Sequence, residues 1–172
     1  MDRPALHQKL EIRHVTNQDL PALEWGGEYI HFRRLFAQAF QRAQQGEAVL
    51  WVAELPEAGI IGQLFVQLKN HRNDLANGGS RGYIYAFRVR SQYREQGVGT
   101  RLLQTAESDL LSRGCHRVAL NVSRDNLRAL QLYENLGYYI VATEPGIWSY
   151  LDHKGRLHDV HEPAWRMEKE LN

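Results

Sequence analysis

Arg94-Glu95-Gln96-Gly97-Val98-Gly99 follows a strand-like run at 83–89 and opens a helix-like run at 100–113. Two glycines one residue apart let the backbone coil tightly and turn several N–H groups toward one point. At a helix start those N–H groups add to the positive end of the helix dipole, so the element suits a phosphate or pyrophosphate. Arg94 adds a fixed positive charge beside it. The stretch therefore predicts an anionic, phosphate-bearing ligand.

Three glycine-rich patterns compete for it. A P-loop requires Lys and then Ser or Thr after its last Gly, and Gly99 is followed by Thr100-Arg101. A dinucleotide fingerprint requires a third small residue three positions on, and an acidic residue about 20 positions further at the end of a second strand. Leu102 fills the first place, and the second strand runs out in Ser123-Arg124. The remaining pattern is Arg/Gln-x-x-Gly-x-Gly, which Arg94, Gly97 and Gly99 fit without a gap.

Extended to Phe87-Arg88-Val89-Arg90-Ser91-Gln92-Tyr93-Arg94-Glu95-Gln96-Gly97-Val98-Gly99-Thr100-Arg101-Leu102-Leu103, the segment resembles the acyl-CoA-binding core of the GCN5-related N-acetyltransferase (GNAT) superfamily. A second block, from Asn121-Val122-Ser123-Arg124-Asp125-Asn126 through Tyr133-Glu134-Asn135-Leu136-Gly137-Tyr138, is similar to that family's strand-Asn-helix-Tyr-x-x-x-Gly-aromatic block. The two blocks occur in family order and at a family-like separation.

The resemblance implies an α/β (α+β) fold: a mixed, mostly antiparallel twisted sheet of about seven strands flanked by helices, with splayed central strands. It implies acetyl-CoA as co-substrate, with no metal, and an amine as acceptor. The main chain of Phe87, Arg88 and Val89 would bond the pantetheine amides, and the Val89 N–H would polarise the thioester carbonyl as an oxyanion donor. Arg94, Glu95, Gln96, Gly97, Val98, Gly99 and Thr100 would hold the pyrophosphate. Tyr133 would hydrogen-bond the departing thiolate, with Asn126 nearby. Read without the resemblance, Tyr133 packs beside Ala129, Leu132 and Leu136, and Asn126 is a helix N-cap.

The chain's 172 residues, 43% of them hydrophobic, suit one domain spanning 1–172. A net charge of +1, from 21 basic and 20 acidic residues, gives no nucleic-acid or membrane-surface signature. The lone Cys115 excludes an internal disulfide framework and reads as a buried thiol. No stretch approaches the roughly 20 apolar residues of a membrane span, and Met1-Asp2-Arg3-Pro4 has no apolar signal core, so a soluble cytoplasmic protein is expected. The acceptor is expected to be a small-molecule amine or a protein or peptide amine, and the chain is expected to pair as a homodimer.

Along the chain, 10–15 alternates like a first strand, and Thr16-Asn17-Gln18-Asp19 reads as a capping box opening a helical region that closes at Gln45-Gly46. Runs at 49–54 and 60–68 predict a hairpin turning at Pro56-Glu57-Ala58-Gly59, and 69–82 reads as an exposed, mobile loop. After the glycine loop come a helix stopped by Gly114, a strand at 118–122, a helix from Asn126 to Leu136, a strand at 138–142, a hairpin turning at His153-Lys154-Gly155, and a last strand at 165–168.

The general base is not legible. The resemblance places a glutamate on the central strand or at position 121, where this chain has no carboxylate and Asn121 respectively. Glu54, Glu144, Glu28, and Tyr85 through a water are the candidates, each also readable as an ordinary surface group. His158-Asp159-Val160-His161, with His153, lacks the spacing of a closed metal site. Trp25, Tyr29, Phe32 and Phe36 either bury a helix or line an acceptor pocket. Two functions follow: an acetyl-CoA-dependent N-acetyltransferase, or a non-catalytic acyl-CoA-binding domain that senses CoA state or pairs with a partner.

Overall fold

A computed structural model describes residues 2–172. Helix α1 (Arg3–Lys9) starts where Asp2 Oδ1 accepts the Ala5 N–H at 2.8 Å, with Pro4 in its first turn. Strand β1 (Glu11–His14) leads into a 3-10 segment, Asn17–Gly27. The predicted capping box closes that segment's start, with Asp19 Oδ2 accepting the Thr16 N–H at 2.7 Å. The helical region expected from 16 to 46 consists of several helical segments. Trp25 (φ 48°) and Gly26 (φ 68°) adopt left-handed backbone, a 3-10 turn follows at Ile30–Phe32, and only then does α2 (Arg33–Gln44) begin.

Strands β2 (Ala48–Leu55) and β3 (Gly59–Gln67) make the predicted hairpin. They are followed by β4 (Arg81–Val89), α3 (Val98–Ser112), β5 (Arg117–Ser123) and α4 (Leu127–Asn135). Strand β6 (Tyr139–Glu144), the hairpin β7 (Ile147–Leu151) and β8 (Leu157–His161), and β9 (Ala164–Glu170) complete the chain.

Among the described residues, seven strands form one sheet in the order β1-β2-β3-β4-β5-β9-β6, antiparallel except at β4–β5, and β7 and β8 pair only with each other. Strands β2 and β3 are apolar on both sides because the sheet is covered on both faces. Under α1, α3 and α4 lie Leu6, Leu64, Leu102, Leu110 and Met167; under the 3-10 segment and α2 lie Leu23, Phe36, Val52 and Phe65. Each such side chain contributes about 1.5–3 kcal/mol by leaving water. Helix α3 lies so close to β4 that a Cβ on Gly82 would stand 2.6 Å from Leu110 Cδ2.

The stretch 69–82, expected to be an exposed and mobile loop, runs into β4 at its last two residues, and over 69–80 it is pinned although largely exposed. Arg72 holds Glu144 through two bonds of 2.9 Å, Arg166 reaches Asp74 at 2.6 Å, and Leu75 and Ala76 are buried beneath the turn. The polar composition that suggested a free loop supplies the charges that tie it to β6 and β9. The β7–β8 hairpin reaches back to α2: the Tyr150 ring lies 5.1 Å from Phe32 and stacks on His158 at 5.0 Å. His158 Nε2 is 2.7 Å from Asp152 Oδ2, so that histidine is engaged in holding the turn.

Candidate active site

The site begins with a defect in β4. Phe65 pairs with Tyr85 but Gln63 pairs with Arg88, so β4 carries one extra residue between them. Ala86 takes the left-handed conformation (φ 48°), and the buried Gln63 fixes it by donating Nε2 to the Ala86 carbonyl at 3.0 Å. The bulge resets the alternation of side chains. Ile84 before it and Phe87 and Val89 after it pack toward α3, whereas Tyr85 and Arg88 face the α2 side.

A slot opens beside this bulge. Strand β4 pairs with β5 only from Arg81 to Ile84, against Arg117 to Leu120, and beyond that the two diverge. Arg90 gives its N–H to the Ile61 carbonyl at 2.8 Å, which makes 61 and 90 a hydrogen-bonded pair across β3. Antiparallel pairing alternates, so the preceding N–H, that of Val89, points away from β3 and into the slot. The Val89 carbonyl, on the same side, accepts Arg94 Nε at 2.9 Å.

The glycine loop closes one end of the slot. Gly97 (φ 87°) makes the left-handed turn that starts α3, a conformation costly for other residues. The first helical bond of α3 runs from the Arg101 N–H to the Gly97 carbonyl at 3.0 Å, leaving the N–H groups of Val98, Gly99 and Thr100 ahead of it. A Cβ on Gly99 would sit 3.4 Å from the Phe87 ring, so a glycine here keeps the cleft floor low. Helix α1 braces the loop from below: His7 Nε2 is 2.7 Å from the Gln96 carbonyl, and Arg101 donates to the His7 carbonyl at 2.8 Å.

Helix α4 forms the facing wall. Asn126 caps it, accepting the Ala129 N–H at 3.1 Å. The Tyr133 ring lies 6.3 Å from Phe87 and 5.9 Å from Tyr138, and its hydroxyl has no hydrogen-bond partner among the described residues. Burial pushes the Tyr133 phenol up to about 12, so it keeps its proton at any working pH. The open cleft, about 670 Å³, is lined by Phe87, Arg88, Val89, Arg94, Glu95, Gly97, Gly99, Thr100, Asn126 and Tyr133 from the residues expected at the site. Gln96 and Val98 do not line it. The Val98 side chain is 1% exposed because it points down into the core, so Val98 can contribute only its N–H, and Gln96 turns its carbonyl toward His7.

The model of the acetyltransferase (GNAT) family matches residues 12–138. The chain belongs to this family. N-alpha-acetyltransferase 30 from Xenopus laevis is 36% identical over 78 residues, which is 45% of this chain and 27% of that protein. The Homo sapiens protein of the same name is 36% identical over 78 residues and matches across 20% of its length. The chain thus covers only a fifth to about a quarter of these relatives. Among solved structures, the ribosomal-protein-S18-alanine N-acetyltransferase from Escherichia coli superposes with a TM-score of 0.70 at 19% identity, covering 95% of this chain and 94% of that one. Arabidopsis thaliana NAA60 in complex with acetyl-CoA gives a TM-score of 0.70 at 22% identity, covering 95% and 99%. At these identities the likeness is one of fold, and the fold is the GNAT one, with its seven-stranded, mostly antiparallel sheet.

Within this GNAT frame, two of the carboxylates considered as bases are held in ion pairs. Glu54 accepts Arg13 Nη2 at 2.6 Å. Glu144 is clamped by Arg72 and Arg166, and the hydrogen bonds from Arg72 hold its carboxyl below the usual carboxylate range. Burial raises Tyr85, so the phenol keeps its proton near neutral pH and offers no phenolate to accept another. Glu28 lies exposed at the end of the 3-10 segment. Two contributors were invisible in sequence: Gln63, whose role depends on a bulge two strands' pairing creates, and α1, whose only signals were Asp2 as a cap and Pro4 behind it.

Proposed function

We propose that the protein transfers the acetyl group of acetyl-CoA to a primary amine by direct attack in a ternary complex. The observation that carries this is the Val89 N–H, which points into the slot between β4 and β5 with the α3 N-terminus at one end and Tyr133 on the facing wall. The pyrophosphate would rest on the N–H groups of Val98, Gly99 and Thr100, and the pantetheine arm would lie along Phe87 to Val89. The relatives' names and the acetyl-CoA complex of NAA60 support this ligand.

The steps follow from the groups present. The amine nitrogen attacks the thioester carbon, and the negative charge that develops on its oxygen is met by the Val89 N–H. The C–S bond then breaks, and the sulfur leaves as a thiolate that Tyr133 stabilises by donating its hydroxyl proton to a hydrogen bond. A phenol held near 12 against a thiol of about 8.5 favours sharing the proton over giving it up.

No carboxylate stands free on β4 to take a proton, so the acceptor would enter as the free base, and its nitrogen, positively charged once it has attacked, would release the surplus proton through water as the thiolate leaves. That favours α-amines. At pH 7 an α-amine of pKa about 8 is roughly 10% unprotonated, whereas a lysine amine of pKa about 10.4 is about 0.04% unprotonated. Acetylation of an acceptor panel should therefore show peptide α-amines outrunning lysine side chains by about 10²-fold at pH 7. For each acceptor, kcat/KM should rise with pH and level at that acceptor's own pKa. An inflection near pH 7 common to all acceptors would reveal a base of the protein's own. Acetyl-CoA binding with no acceptor acetylated would favour the non-catalytic, acyl-CoA-sensing alternative.

A further inference from the structure

The bulge that turns Phe87 and Val89 toward the cofactor side turns Arg88, between them, to the opposite face. An amine attacking a thioester held at Val89 must come from that face. There the Arg88 guanidinium lies 3.5 Å from the Tyr29 ring centre and 4.7 Å from that of Trp25. Among the described residues it forms no ion pair; its one hydrogen bond goes from Nη2 to the Leu23 carbonyl at 2.7 Å, and its Nε–H is buried without an acceptor. Arg90 covers the Trp25 ring as well, at 4.7 Å, and likewise has a backbone carbonyl, that of Ile60, and no carboxylate as partner.

The ring held between the two cations is itself constrained. Trp25 is 7% exposed, sits in left-handed backbone (φ 48°) that is rare for an aromatic residue, and its Nε1–H is buried without a partner among the described residues. Buried donors are nearly always satisfied, and a partly buried cation is normally neutralised. Burial without a counter-charge draws the Arg88 pKa down to about 10, with Glu28 acting on it only from beyond ion-pair reach. A half-buried charge kept in place by aromatic rings, with no hydrogen bond at its Nη1 among the described residues, is pre-organised for an anion.

We propose that Arg88, seated on Tyr29 and Trp25, is a carboxylate subsite of the acceptor pocket, so that the preferred acceptors carry a carboxylate close to the reacting amine. This rests on the acetyl-transfer reading above. The carboxylate could belong to a free amino acid or to an acidic side chain at the start of a peptide.

Paired acceptors test it: peptides with Asp or Glu against Asn or Gln in the first two positions, and free amino acids against their amides. The wild-type protein should favour the carboxylate member of a pair by tenfold or more in kcat/KM, mostly through KM. Arg88→Met should bring that ratio close to one, and Arg88→Lys, which keeps the charge but not the fork, should fall between. Whichever pair shows the preference identifies the source of the carboxylate. A wild-type ratio near one in both sets, or an unchanged ratio in Arg88→Met, overturns the subsite while leaving acetyl transfer standing. Calorimetry on the CoA-saturated protein keeps the two apart. N-acetylaspartate, which has no amine to acetylate, should bind at least tenfold more tightly than N-acetylasparagine amide, which has no carboxylate, even if no acceptor turns over; equal binding refutes the proposal.

Discussion

Gly99→Glu weakens CoA binding by two orders of magnitude or more while leaving the thermal midpoint nearly unchanged. The first turn of α3 is where the N–H groups of Val98, Gly99 and Thr100 precede the helical bonds, and a glutamate there would set a carboxylate against the pyrophosphate. Two like charges about 5 Å apart at an effective dielectric near 20 repel by about 3 kcal/mol, which is the factor of roughly 10² expected. The fold should survive because the new Cβ meets the Phe87 ring at 3.4 Å, an ordinary contact, and an acidic side chain at a helix N-terminus is mildly favourable by itself. Calorimetric titration with CoA, alongside thermal unfolding, checks both halves. Equal affinity in the variant would remove the pyrophosphate from this loop.

Tyr133→Phe lowers kcat by about 10²-fold or more while the acetyl-CoA affinity moves little. The ring's packing against Phe87 and Tyr138 is kept by phenylalanine, so the change isolates the hydroxyl. That hydroxyl has no partner to lose among the described residues, and its bond to sulfur strengthens only as negative charge develops there, so the loss falls on the transition state. Proton donation of this kind is typically worth about 10²–10⁴-fold. Single-turnover kinetics make chemistry the observed step. An unchanged rate there would return Tyr133 to packing between α4 and β4.

Much of this site was legible from sequence because its parts are local. The turn at Gly97, the exposed N–H groups that follow it and the Asn126 cap depend on neighbours a few residues away, and their residue types announce them. What the sequence did not announce depends on pairing between distant segments. The resemblance implied splayed central strands at this point, but Ala86 itself reads as an ordinary strand residue, and the ladder with β3 is what puts the bulge there and sends Arg88 to one face and Val89 to the other. The run around Trp25 has helical spacing, yet Gly26 and Gly27 permit the left-handed turn that tertiary contacts to Arg88 and Arg90 then exploit. The stretch 69–80 misled for the opposite reason. Its polar composition suits solvent, but Glu144 and Arg166, more than sixty residues later, convert those charges into anchors. The base stayed unread in sequence, and the structure shows why Glu54 and Glu144 are poor choices: each is committed to an arginine.

The central claim is that acetyl-CoA lies in the slot between β4 and β5 with its thioester at Val89. A crystal structure of the complex with acetyl-CoA tests it directly. The account predicts the pyrophosphate within hydrogen-bond distance of the N–H groups of Val98 to Thr100, the thioester oxygen about 3 Å from the Val89 nitrogen, and the sulfur within reach of the Tyr133 hydroxyl. Acetyl-CoA bound elsewhere, or a thioester oxygen turned away from Val89, would contradict it.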